Sequence, residues 1–186
     1  MAGAGYVALL RGINVGGRNI VRMADLRAAF EDDGYAAVGT YIQSGNVLFE
    51  SAIPPTSLES DIERVLADRF GLSVVVVVRS HGQYREVVDR APYGFGTAPD
   101  TYHSDVIFLK APLSSREAMR DVDPRDGVDQ VWPGEGVLYF SRLSKRLSQS
   151  RMSRIAGSSL YQNMTIRNWR TTTKLLGLLE QRVEKD

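Results

Sequence analysis

Twice along this chain the same order of patterns recurs: strand, helix, strand, strand, helix, strand, and then one further helix. That order constrains the fold more than anything in the composition, because it is the order of the split βαβ, or ferredoxin-like, arrangement. In the first half, residues 6–10 form an apolar strand that ends in a Gly/Asn-rich loop over 11–19. Residues 23–33 read as a helix, with Leu26 and Phe30 four apart on one face and Gly34 as its stop. Strands over 37–42 and 47–50 follow, joined by the tight turn Gln43-Ser44-Gly45-Asn46. Pro54-Pro55 breaks the chain, and Thr56 with Glu59 has the spacing of a capping box. The helix so started carries Leu58, Ile62, Val65, Leu66 and Phe70 at the helical repeat and ends at Gly71. A strand over 74–78 and a helix from Ser80 to about Arg90 complete the half.

The second half repeats the order with unrelated residues. A strand over 103–109 and a helix over 114–122 lead to a hairpin, 129–132 and 137–141, across Pro133-Gly134-Glu135-Gly136. A short helix over 150–156, a strand over 164–167 and a final helix capped by Asn168 and running to about Glu184 finish it. Residues 92–102, rich in Gly and Pro, are the connector. The expectation is an α+β protein with two ferredoxin-like (βαββαβ) subdomains, 1–91 and 103–186, each followed by an extra helix. The run 74–78 is apolar throughout rather than alternating, so both of its faces should be buried. The other half, or a second subunit, is the natural cover, and the two halves are expected to be packed closely together.

With 186 residues, 43% hydrophobic and 24% charged, the chain can bury a proper core. The absence of cysteine excludes disulfides, thiolate metal sites and thiolate nucleophiles. The first residues lack the basic region and apolar core of a secretory signal, and the longest apolar runs are too short for a bilayer. A cytoplasmic location without membrane attachment is the default expectation. Charge is uneven: eight basic residues and no acid lie between Arg142 and Leu179, leaving the rest of the +1 chain at −7. Either this stretch attracts an anionic partner, or its side chains pair with acids elsewhere in the fold.

The candidate ligand site follows from topology. The loop after the first strand and the hairpin between the next two lie at the same end of such a sheet. Arg11, Asn14, Arg18, Asn19, Gln43, Ser44 and Asn46 are thereby brought towards one surface. Glycines there can turn backbone N–H groups towards a ligand, and two guanidinium groups suit phosphate or carboxylate. The glycine spacing matches neither a dinucleotide fingerprint nor a P-loop. Alternatively, the glycines serve turns and the asparagines cap local backbone. Arg167 is a further candidate, at a strand-to-helix junction inside the basic stretch where a helix N-terminus offers free N–H groups. Trp169 beside it reads as a core anchor.

Three runs carry a family resemblance: Ala8-Leu9-Leu10-Arg11-Gly12-Ile13-Asn14-Val15-Gly16-Gly17, Thr40-Tyr41-Ile42-Gln43-Ser44-Gly45-Asn46-Val47, and Thr165-Ile166-Arg167-Asn168-Trp169. Together they resemble the domain of unknown function 1697 family over nearly the whole chain. The resemblance implies an α+β fold of two ferredoxin-like subdomains and brings no activity, substrate or catalytic residue.

Enzymatic constellations are thin. His81 and His103 stand at a helix start and a strand start, away from any nucleophile pattern, and read as solvated or hydrogen-bonded structural histidines. Two histidines without cysteine argue against zinc; an Mg²⁺ site, which can use only one or two carboxylates, stays open. Three readings stand: binding of a small anion such as a nucleotide or phosphorylated metabolite at the converged loops, RNA binding through the basic stretch, and a protein-interaction or homodimeric scaffold. The third strand, 46–50, lacks the paired stacking aromatics of the RNA-recognition module, which ranks RNA second.

Overall fold

The computed structural model describes residues 4–183. The chain forms two compact units: residues through Arg85 together with the chain from Leu175, and Glu86–Lys174.

In the first unit, β1 (Ala4–Leu10), α1 (Met23–Asp32), β2 (Ala36–Tyr41), β3 (Asn46–Ser51), α2 (Pro55–Phe70) and β4 (Val76–Ser80) follow one another, and α3 (His81–Asp89) begins there and passes into the second. The antiparallel sheet has the order β2-β3-β1-β4, as the split βαβ arrangement demands. Tyr6, Ala8 and Leu10 on β1 share a face with Val47 and Phe49 on β3, against Leu26 and Phe30 of α1 and Leu58, Ile62 and Leu66 of α2. Phe49 packs edge-on to Tyr35 and Phe30 at centroid distances of 5.0 and 5.7 Å. Val7, Leu9, Leu48 and Val77 on the opposite face are buried too. The all-apolar reading of 74–78 is thus met on both faces of β4.

The helix ends are chemically distinct. Gly71 ends α2 in the left-handed region, its N–H on the Ala67 carbonyl, with Leu72 reaching back to Leu66. The capping box expected from Thr56 and Glu59 does not form, because Pro54 is the cap, Pro55 starts the helix and Thr56 lies inside it. Glu59 and Glu63 instead accept from the N–H groups of Val78 and Val76 at 3.0 and 2.9 Å. They occupy donors that edge strand β4 would otherwise leave open. A reciprocal cap does form at α3, where Ser80 and Gln83 exchange side chain-to-backbone bonds.

The second unit contains β5 (Tyr102–Leu109), α4 (Ser115–Asp121), β6 (Asp129–Gly134), β7 (Val137–Leu143), α5 (Met152–Ala156) and β8 (Met164–Asn168), and then enters α6 (Trp169–Val183). Its sheet order, β6-β7-β5-β8, reproduces the first. Ile107, Leu138, Phe140 and Met164 pack with Ala118, Ile155 and Leu160 on one face. Pro133 and Gly134, expected in the hairpin turn, instead pair with Leu138 and Val137 as strand residues. Proline is tolerated there because β6 is an edge. Two 3₁₀ segments, Ser144–Gln149 and Ser159–Asn163, were not anticipated from the pattern. Asn168 caps α6 as expected, its Oδ1 accepting from the Thr171 N–H at 2.7 Å; the expected end of that helix, Glu184, lies outside the described residues.

The last turns of α6 belong to the first unit. There Arg182 donates to the Ala37 carbonyl, and Arg85 on α3 pairs with Glu180 at 3.3 Å. Ala37 lies in the left-handed region at a register shift in β2, and a Cβ on Gly39 would overlap the Arg182 guanidinium. The bulge and the missing side chain make room for the arginine on this edge strand.

Candidate functional site

In the first unit, the loop after β1 and the β2–β3 hairpin do meet. The Asn14 carboxamide donates to the carbonyls of Gln43 and Val21 at 2.9 and 2.8 Å and accepts from the Val21 N–H at 2.8 Å. Leu10 N–H reaches the Gly45 carbonyl at 2.8 Å. Asn19 donates to the Gly12 carbonyl at 3.1 Å, and buried Asn46 to the Tyr41 carbonyl and the Ser44 hydroxyl. The three asparagine carboxamides therefore build the loops. Asn14 and Asn19 also hold left-handed backbone, which their side chains tolerate better than most. Arg18 is exposed, without an ion pair among the described residues; Arg11 is half-buried, and Gln43 and Ser44 lie at the hairpin surface. Val15, Ile20 and Ile42 are exposed at the same end, so it is apolar as well as basic.

Arg167 belongs to the second unit. It is buried on β8 and donates through Nη1 to the Thr165 hydroxyl and the Ile166 carbonyl, both at 2.8 Å. The basic stretch around it divides in two. Arg142 pairs with Asp105 at 2.9 Å, and Arg151 and Arg154 converge on Asp123. Lys145, Arg146, Arg170 and Lys174 are exposed and have no acid partner among the described residues. The reading of internal pairing is met by Arg142, Arg151 and Arg154.

A cleft of about 470 Å³ opens in the second unit where β5 begins and β8 passes into α6. Tyr102, His103 and Ser104 line it from β5; Asn168, Trp169, Arg170 and Thr173 from the junction; Gly96 and Pro99 from the preceding loop. Trp169 is half-buried and meets Phe95 edge-on at 5.1 Å, and Phe95 in turn meets Tyr139 and Trp132. The indole is thus fixed from behind while its exposed part faces the cleft. Gly96, with a φ of +73°, lies so close to the indole that any Cβ would overlap it. Asn168 already occupies one first-turn N–H of α6.

Behind the cleft wall, Asp105 is 4% exposed. Its Oδ2 accepts from Arg142 Nη2 at 2.9 Å, and its Oδ1 lies 3.4 Å from Nε2 of the more exposed His103. Arg142 is the direct cross-strand neighbour of both His103 and Asp129. His81, by contrast, sits beside Arg85 at 3.3 Å in the first turn of α3. Among the described residues no group of three or more His, Asp or Glu could hold a metal, and no helix is long and apolar enough to cross a membrane. A second cleft, of about 390 Å³, is lined by Asp100, Thr101, Gly127, Leu143, Lys145 and Arg146.

The sequence reading missed the larger cleft. The connector carries part of it, since Gly96 and Pro99 form one wall. The available signals were His103-x-Asp105 on one strand, which places both side chains on the same face, and an arginine directly after the aromatic at a helix start.

Two units with the same four-stranded antiparallel order and flanking helices make this an α+β protein of repeated ferredoxin-like design. The chain belongs to the family described as Protein of unknown function (DUF1697), whose model matches residues 4–139. The Thr165–Trp169 motif lies beyond that match. No curated protein matches the chain. The solved structure of the conserved bacterial protein SP0830 from Streptococcus pneumoniae is similar, with a TM-score of 0.82 and 24% identity, covering 95% of this chain and 98% of that one. At that identity the likeness shows the fold alone.

Proposed function

We propose that the protein binds a small anionic ligand with a planar or apolar portion, of the nucleotide or phosphorylated-metabolite class, in the cleft at the start of α6. The observation that carries this reading is the pairing of Trp169 and Arg170: a braced indole beside an exposed guanidinium with no acid partner among the described residues. An indole face takes a planar group, and a guanidinium takes a phosphate through two parallel bonds. The cleft has the volume usual for small-ligand sites. The converged loops, with Arg11 and Arg18, are the second place for the same ligand chemistry, but their asparagines are already committed to internal bonds.

Thermal unfolding against nucleotides, phosphorylated sugars and short RNA oligomers tests this reading. A ligand at about 100 times its dissociation constant adds roughly 2.7 kcal/mol, which raises the melting temperature by roughly 5–10 °C for a chain of this length. A shift from a small anion that disappears in Arg170→Ala supports the cleft. A shift that disappears only in Arg11→Ala or Arg18→Ala moves the site to the loops. A shift from RNA alone, steeply lost with salt, supports an oligonucleotide reading through Lys145 and Arg146. That reading ranks lower because the sheet faces where bases would stack are buried: Val7, Leu9, Leu48, Val106 and Phe108 are all at most 2% exposed.

A further inference from the structure

We infer that the cleft is catalytic, and that His103 is the proton acceptor for hydrolysis of a phosphate ester or anhydride held there by Arg170. This inference rests on the anion-binding reading above. It adds a reaction and the residue that carries it.

Asp105 supplies the argument. A carboxylate 4% exposed is costly to bury. Arg142 fixes its Oδ2 at 2.9 Å, which leaves Oδ1 to face the His103 imidazole at 3.4 Å. A carboxylate oxygen that near disfavours a lone pair on Nε2 and so favours the tautomer with the hydrogen there. The Nδ1 lone pair is then available to accept a proton. His103 and Arg170 line the same cleft, one from β5 and the other from the first turn of α6. A nucleophile activated by a base, a carboxylate beside that base and a cation on the oxyanion form a recurring hydrolytic arrangement.

The step balances with water as the only co-reactant. A water oxygen attacks phosphorus as Nδ1 of His103 takes one of its protons. The bond from phosphorus to the leaving oxygen breaks, and that oxygen leaves with the electron pair and is protonated. The imidazolium returns its proton to solvent, so that ester and water become phosphate and alcohol. Asp105 and Arg142 are positioning residues in this scheme.

The test uses the full chain with 4-nitrophenyl phosphate, bis(4-nitrophenyl) phosphate and pyrophosphate as probes, with thermal shift by inorganic phosphate and pyrophosphate measured in parallel. The expected result is saturable turnover, with kcat lower in acid, where a base that must accept a proton is already protonated. His103→Ala should lower kcat about 10²- to 10⁴-fold with little change in KM; His103→Asn serves if the alanine variant melts early. Asp105→Asn should lower kcat and displace the pH profile, which a merely structural loss would not do. Thermal shifts without turnover of any probe would overturn the catalytic inference and leave the binding reading standing. Neither shift nor turnover would overturn both. Turnover unchanged in a folded His103 variant would remove the role assigned to His103.

Discussion

Arg142 on β7 donates to Asp105 on β5 at 2.9 Å across two neighbouring strands, and the other oxygen of that carboxylate faces His103. The pair lies where the apolar core of the second sheet gives way to the cleft. Removing Asp105 leaves the partly buried guanidinium without its acceptor. Asp105→Ala should therefore cost about 1.5–3 kcal/mol, read as a lower urea midpoint with an unchanged slope.

Asn14 joins the β1–α1 loop to the β2–β3 hairpin through three bonds from one carboxamide, on left-handed backbone. Asn14→Ala removes all three and leaves the Val21 N–H short of an acceptor. A loss of about 1–3 kcal/mol is expected, with the response to anions at the second-unit cleft unchanged. Urea unfolding and thermal shift together check both halves of this prediction.

Gly96 combines a left-handed backbone with contact against the Trp169 indole. Gly96→Ala adds backbone strain of about 1–3 kcal/mol and displaces the indole from its place beside Phe95. Lower stability and weaker ligand binding should appear together. A variant as stable as the parent, with full binding, would contradict this account of the cleft wall.

Stability should fall in alkali for a specific reason. Burial pushes the Tyr139 phenol up to about 12, Arg90 opposing, and its hydroxyl donates to the Val87 carbonyl at 2.7 Å. Tyr35 is raised further, by burial and by its hydrogen bond to Asp61. Each folded value lies above the unfolded value of about 10. The stabilisation is therefore complete below about pH 10 and is lost as pH rises through the folded values. Urea midpoints between pH 8 and 12 should decline, and less steeply in Tyr139→Phe once its lower starting stability is subtracted.

The repeated strand and helix order was legible because period-two and period-3.6 apolar patterns are local, and Gly34, Gly71 and Asn168 mark their own boundaries. The convergence of the two loops was legible from topology alone. What failed was chemistry that depends on distant partners. Glu59 has the spacing of a capping residue, yet it serves the β4 edge, because a strand folded beside the helix offers it an N–H. Gly39 has no visible purpose until Arg182, far along the chain, occupies its space. The asparagines of the converged loops looked available for a ligand, but each carboxamide finds a backbone partner. The cleft was hidden for the same reason, since its walls come from the connector, β5 and the α6 junction, which meet only in the fold.

The most direct measurement is calorimetric titration of AMP and of inorganic pyrophosphate into the wild-type protein, Arg170→Ala and Arg18→Ala. The account predicts saturable one-to-one binding by the wild type, weakened at least about tenfold in Arg170→Ala, the loss of a charge-assisted contact, and unchanged in Arg18→Ala. Equal affinity in the wild type and Arg170→Ala, or no binding of either anion, would contradict it.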